Sequence, residues 1–150
     1  HDLPFDVDSF DGVISECTTC VLNKERAIAE MVRVTKPGGY VGIHDICWQD
    51  DTPEKLKSRL EEIEGEIPET LEGWVTLFRQ AGLVNCKGID RSEIIPTWIK
   101  LSKKDLGFKG QWNIIKTAFN RWGLKGLITI FASQRIFTSN VYWLWDYYRH

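Results

Sequence analysis

A chain of 150 residues with 43% hydrophobic content is one domain's worth of polypeptide, with enough apolar material for a core. Four cysteines in so apolar a chain exclude a disulfide scaffold and point to a reducing, cytoplasmic setting, and no apolar run approaches the ~20 residues that cross a bilayer. The net charge of −2 conceals an asymmetry: residues 1–99 carry 10 Lys/Arg against 19 Asp/Glu, net −9, while residues 100–150 carry 9 against 2, net +7.

The N-terminus has neither the basic start nor the apolar stretch of a secretion signal, which makes a soluble protein the expectation. The first predicted element is a strand around Val13–Ser15, whose apolar residues predict burial on both faces, as in a parallel sheet. A helix follows. Asn23 is its N-cap, Glu25 suits its first turn, and Ala27, Ile28, Met31 and Val32 form its apolar stripe. Pro37 stops it, and Gly38-Gly39 supplies the turn into a second strand, Tyr40–His44. Two parallel strands joined by a helix require a right-handed crossover.

Thr52-Pro53 then opens a charged helix that buries Leu56, Leu60 and Ile63. Thr70 begins another, with Trp74, Leu77, Phe78 and Ala81 facing inward and Gly82 ending it before a strand at Val84–Ile89. Residues 100–150 hold eleven aromatics interleaved with basic residues. Trp112, Ile115, Phe119 and Trp122 sit at helical spacing, and Gly123 and Gly126 break that run. A second helix spans Leu127–Phe137. Asn140–Tyr148 is read as a final helix capped by Ser139 or Asn140, with an aromatic strand as the alternative.

The punctuation of the first unit is specific. Leu3-Pro4-Phe5 stands ahead of Phe10-Asp11, and Arg33-Val34-x-Lys36-Pro37-Gly38-Gly39 stands ahead of the second strand. This combination resembles the class I S-adenosylmethionine-dependent methyltransferases, in particular the group acting on small molecules, lipids and metalloids. With Ala81-Gly82-Leu83, the resemblance covers roughly residues 3–90. It implies a partial Rossmann-like methyltransferase sheet over residues 1–90, the C-terminal half of such a domain. An aromatic-rich helical cap or tail would occupy residues 91–150. The family's glycine-rich cofactor loop and its closing Gly-Tyr-Gly strand have no counterpart here, so the chain reads as part of a larger enzyme and as inactive by itself. Sheet strands left out would bare an edge and drive homo-oligomerisation.

Open parallel sheets bind ligands at the carboxyl ends of their strands. That rule singles out Ser15, Glu16 and Cys17 after the first strand, and His44, Asp45 and Trp48 after the second. Glu16 and His44 are the titratable candidates for a general base. Asp45 and Trp48 are candidates for acceptor binding. The resemblance adds that Ser15, Glu16 and Cys17 would lie beside the methionine part of S-adenosylmethionine and Leu3 near its adenine. For each residue a plain structural role competes: Ser15 and Cys17 as strand-end filler, His44 bonded to nearby backbone, Asp45 as a loop starter.

Cys17-x-x-Cys20 and His44-x-x-Cys47 have the internal spacing of zinc ligands. Small buried cysteines are the commoner outcome, and no metal is assigned. Cys17 also resembles a thiolate of arsenite methyltransferases, but the stretch EGEIPET lacks the further cysteine those enzymes need. The basic aromatic tail admits an anionic lipid surface, stacking on single-stranded nucleic acid, or burial as a lid. Burial is the expectation, with a small-molecule acceptor, no nucleic-acid partner and only a minor place for a membrane surface. The competing reading of the whole chain is a naturally short, non-catalytic association module.

Overall fold

The computed structural model describes residues 2–139 and 141–149. Strand β1 (Phe10–Glu16) leads through a 3-10 turn (Thr19–Val21) to helix α1 (Lys24–Val34), which returns the chain into strand β2 (Thr35–Trp48). The two strands are parallel, with Val13 opposite Val41 and Glu16 opposite His44, as expected for strands joined by a helix. Local chemistry explains its helix. The Asn23 side chain accepts from the Arg26 amide, and Ala27, Ile28, Met31 and Val34 are buried. Thr35 ends the helix ahead of Pro37, its hydroxyl donating to the Met31 carbonyl at 2.6 Å.

Strand β2 is much longer than Tyr40–His44, and it absorbs the Pro-Gly-Gly segment as an irregularity. Phe10 pairs with Thr35 but Gly12 pairs with Tyr40, so Lys36–Gly39 bulge outward. Gly38 takes φ of +80° there. A Cβ on Gly39 would sit 2.8 Å from the Asp11 and Lys36 carbonyl oxygens, closer than a side chain tolerates.

Helix α2 (Glu54–Glu64) has Pro53 as N-cap, buries Leu60 and ends on Gly65 at φ of 73°. Strand β3 (Glu69–Thr70), unforeseen in the sequence, pairs parallel with Cys47 and Trp48. Thr70 caps helix α3 (Leu71–Gln80) by accepting from the Gly73 amide. Trp74 and Phe78 of α3 pack fully buried against Ile28, Met31, Val41 and Ile43, with Leu77 and Ala81 at the margin.

Several expectations fail, each for a physical reason. Burial of β1 on both faces does not occur: Val13 packs against the core, while Ile14, on the opposite face, is 53% exposed. The strand at Val84–Ile89 reduces to isolated bridges at Val84 and Asp90, since Asn85 takes a left-handed φ of 58° that breaks the extended run. Helix α4 (Ile94–Ser139) bends at Gly107 and Gly123, both at positive φ, while Gly126 stays helical. Gly126 is needed for close approach instead, because its Cβ would meet the Ala118 carbonyl oxygen at 2.8 Å. Burial of the tail aromatics fails too, with Trp112, Phe119 and Trp122 exposed.

The final element is strand β4 (Val141–Arg149), not a helix, and it runs antiparallel to β2 from Tyr40 to Trp48. Its aromatic and β-branched composition suits a strand. Asn140, the expected cap, lies outside the described residues. Because β4 lines one edge of β2 from Tyr40 to Trp48, β1 and β3 share the other edge in tandem. The last segment thus returns to the sheet of the first.

Candidate active site

The chain leaves β1 through a tightly bonded turn. Thr19 donates to the Ser15 hydroxyl at 2.9 Å, Thr18 donates to the Glu16 carbonyl at 2.8 Å, and the Cys17 amide donates to the His44 carbonyl at 2.8 Å. Cys17 holds a φ of 50°, the left-handed region a non-glycine residue seldom occupies. The turn is locked from below by Asp45. One carboxylate oxygen accepts from the Cys20 amide at 3.0 Å, and the other from the Ile46 amide at 2.9 Å. The Cys20 carbonyl in turn accepts from the Ile67 amide at 2.9 Å, tying in the segment after α2.

The sheet therefore brings Ser15, Glu16, Cys17, His44 and Asp45 together. Glu16 and His44 are register partners on parallel strands and leave the same face. Glu16 is exposed and His44 half-buried. Because β2 continues through Trp48, Asp45 and Trp48 lie inside a strand and not in the loop beyond it, at 1% and 3% exposure. Leu3 lies elsewhere. Its amide donates to Glu30 at 2.8 Å and its carbonyl accepts from Arg33 at 3.1 Å, the carboxylate and guanidinium of one i,i+3 pair. That is the last turn of α1, on the order of 10 Å along the helix from the Asn23 end. The Arg33 guanidinium and the Leu3 amide hold the Glu30 carboxyl down at about 2.

The zinc constellation that the spacing left open does not assemble. His44 and Cys47 are an odd number of residues apart within one continuous strand and leave opposite faces. Among the described residues no group of three or more His, Cys, Asp or Glu is placed to hold a metal ion. Burial, followed by the negative charge of Asp45, also pushes the Cys20 and Cys47 thiols up. The same two causes act on exposed Cys17, with Glu16 and Glu66 adding to them. Thiols held protonated are weak ligands and weak nucleophiles.

Glu66 is the site residue that sequence reasoning missed. It sits in EGEIPET, which reads as a plain polar connection, and nothing local marks it. One of its carboxylate oxygens is buried with no hydrogen-bond partner. Burial, then the charges of Glu64 and Asp45, raise its pKa to about 7. The folded state thus binds a proton that the unfolded chain releases, and stability contributed by the neutral form is lost as pH rises towards 7. Glu66→Gln should therefore gain on the parent between pH 5 and pH 8, by about 1 kcal/mol after allowing for solvent screening. Paired thermal melts at the two pH values would read this as a shift of about 2–4 °C. An unchanged difference would remove Glu66 from the buried cluster.

A cleft of about 300 Å³ lies between segments of α4, lined by Ile114, Ala118, Trp122 and Ile130 among others. None of its lining residues comes from the strand ends.

Residues 1–43 match the family model described as a methyltransferase domain. Among solved structures, phosphoethanolamine N-methyltransferase 2 of Haemonchus contortus, in complex with S-adenosyl-L-methionine, superimposes with a TM-score of 0.71 over 97% of this chain and 34% of its own, at 16% identity. This is a class I methyltransferase fold. The cyclase SpnF shares it, with a TM-score of 0.70, 19% identity, and coverage of 99% of this chain and 52% of its own. By sequence, an uncharacterized protein of Haemophilus influenzae is 36% identical over 88 residues, 55% of this chain and 35% of that protein. The phthiotriol/phenolphthiotriol dimycocerosates methyltransferase of Mycobacterium tuberculosis is 45% identical over 47 residues, 31% of this chain and 17% of that enzyme. The methyltransferase-fold chain thus spans about a third of the length of the Haemophilus relative.

Proposed function

We propose that these residues form the acceptor side of an S-adenosylmethionine-dependent methyltransferase acting on a small molecule. The observation carrying this reading is the juxtaposition of the methyltransferase-matching segment with a parallel β1–β2 pair in which the carboxyl end of β1, Ser15–Cys17, lies beside His44 of β2.

The cofactor would supply an electrophilic methyl group on a sulfonium. This chain's part is mainly to position the two reactants. Ser15, Glu16 and Cys17 would flank the methionine part. The exposed carboxylate of Glu16 would favour a cationic donor. Glu16 or His44 would take the proton when the acceptor has one to lose. Asp45 acts through its charge and its grip on Cys20, and Trp48 as a wall, since both are buried.

The test is labelled methyl transfer by the protein that contains this chain, against pooled metabolites. Transfer that falls at least tenfold in Glu16→Gln or His44→Ala is expected for a general base in this position. Absence of both methyl transfer and S-adenosylhomocysteine binding would overturn the proposal. The 150 residues alone are expected to show no cofactor heat by calorimetry. They are also expected to self-associate along β1, whose outer edge is unpaired among the described residues. A strictly monomeric sedimentation profile at high concentration would contradict that association.

A further inference from the structure

Helix α4 turns its apolar side to solvent. Between Gly107 and Gly123, the residues Phe108, Trp112, Ile115, Phe119 and Trp122 recur every three or four positions and so share one face. Four of the five are between 53% and 85% exposed. The next segment repeats the pattern with Leu124, Ile128 and Phe131, between 55% and 66% exposed. Small buried residues, Ala118 and Gly126, let the two segments pack on each other. Two consecutive amphipathic helices with outward stripes exceed the scattered apolar exposure of ordinary surfaces.

The charge around these stripes selects the occupant. Residues 100–139 carry eight Lys/Arg and a single acidic residue, Asp105. Lys109, Lys116 and Lys125 are exposed beside the stripes, and the Arg121 guanidinium lies 5.4 Å from the centre of the Trp122 ring. A second copy docking face to face would oppose two equally basic patches, which is repulsive. Single-stranded nucleic acid would use the aromatic rings but leave Leu124 and Ile128 without a role. We propose that α4 is a membrane-surface element that lies flat on an anionic bilayer, with its stripes in the headgroup–acyl boundary and its lysines on the lipid phosphates. No helix among the described residues is long and apolar enough to cross a membrane, which accords with a lying geometry.

Co-sedimentation of the chain with vesicles of phosphatidylglycerol and phosphatidylcholine, against phosphatidylcholine alone, tests this. Binding to the anionic vesicles is expected to be at least tenfold tighter and to weaken with salt. Phe119→Ser/Trp122→Ser should lose at least tenfold in anionic-vesicle binding, and each of Lys116→Gln and Lys125→Gln about fivefold. All four positions are exposed, so the far-ultraviolet dichroism of the variants should match the parent. Equal affinity for the two vesicle types, no binding, or unaltered binding by the stripe variant would overturn the proposal. So would tighter binding to a single-stranded oligonucleotide, or a vesicle-free oligomer that the stripe variant dissociates.

Discussion

Trp74→Ala is expected to lower the free energy of unfolding by about 3–5 kcal/mol, read as a fall in the urea midpoint at constant slope. Trp74 is fully buried in α3 against β2, in the cluster that includes Ile28, Ile43 and Phe78. Truncation leaves a cavity the size of an indole between helix and sheet. Two smaller losses accompany it. The indole nitrogen donates, at a long 3.4 Å, to the Ile46 carbonyl, and Lys24 Nζ lies 5.8 Å from the ring centre while bonded to Glu69 at 2.5 Å. Trp74→Phe keeps most of the volume and should lose less than half as much. The control is Trp112→Ala. That residue has the same chemistry but is 58% exposed, so a change within about 0.5 kcal/mol is expected. Equal losses at the two tryptophans would refute the described core.

Asp45→Ala carries the second large effect, about 2–4 kcal/mol of stability. Its carboxylate is the partner of two amides, one of them on Cys20 in the turn that presents Ser15–Cys17. Removing it leaves buried N–H groups unsatisfied and frees the turn. An asparagine side chain at this position would restore an acceptor for one amide but set an NH₂ against the other, so Asp45→Asn should recover only part of the loss. A chemical readout separates charge from packing. Asp45 is the leading charge that raises the Cys17 thiol, although burial is the larger cause. Asp45→Asn should therefore lower the Cys17 pKa and speed its reaction with a disulfide reagent at neutral pH. A thiol rate no different from the parent would show that Asp45 does not act on the site through its field.

Asp45 also shows where reading the chain stops. A strand ending at His44 makes Asp45 a loop residue and a ligand contact. Antiparallel pairing with β4 carries β2 on to Trp48 and turns the same carboxylate inward. Nothing within Tyr40–Trp48 announces that extension, because it depends on a partner about a hundred residues away. Glu66 is hidden in the same manner. The segment that carries it is tied down by the Ile67 amide donating to the Cys20 carbonyl, a contact between distant loops. The stripe on α4 was legible as a stripe, but periodicity is identical whether the apolar face meets a core or the solvent.

By itself the sequence determined the β1–α1–β2 unit, its parallel sense, the Asn23 cap, the start of a helix at Thr70 and the position of Ser15–Cys17 at the end of β1. Those features rest on interactions among neighbours: a side chain bonding an amide three residues on, or a helical stripe facing the sheet it leaves and re-enters. The tertiary structure alone decided that Asp45 is a buried clasp, that His44 and Cys47 diverge, that Glu66 is desolvated and that α4 shows its aromatics outward. Each of those depends on which distant segment covers a residue, and coverage is a property of the assembled fold.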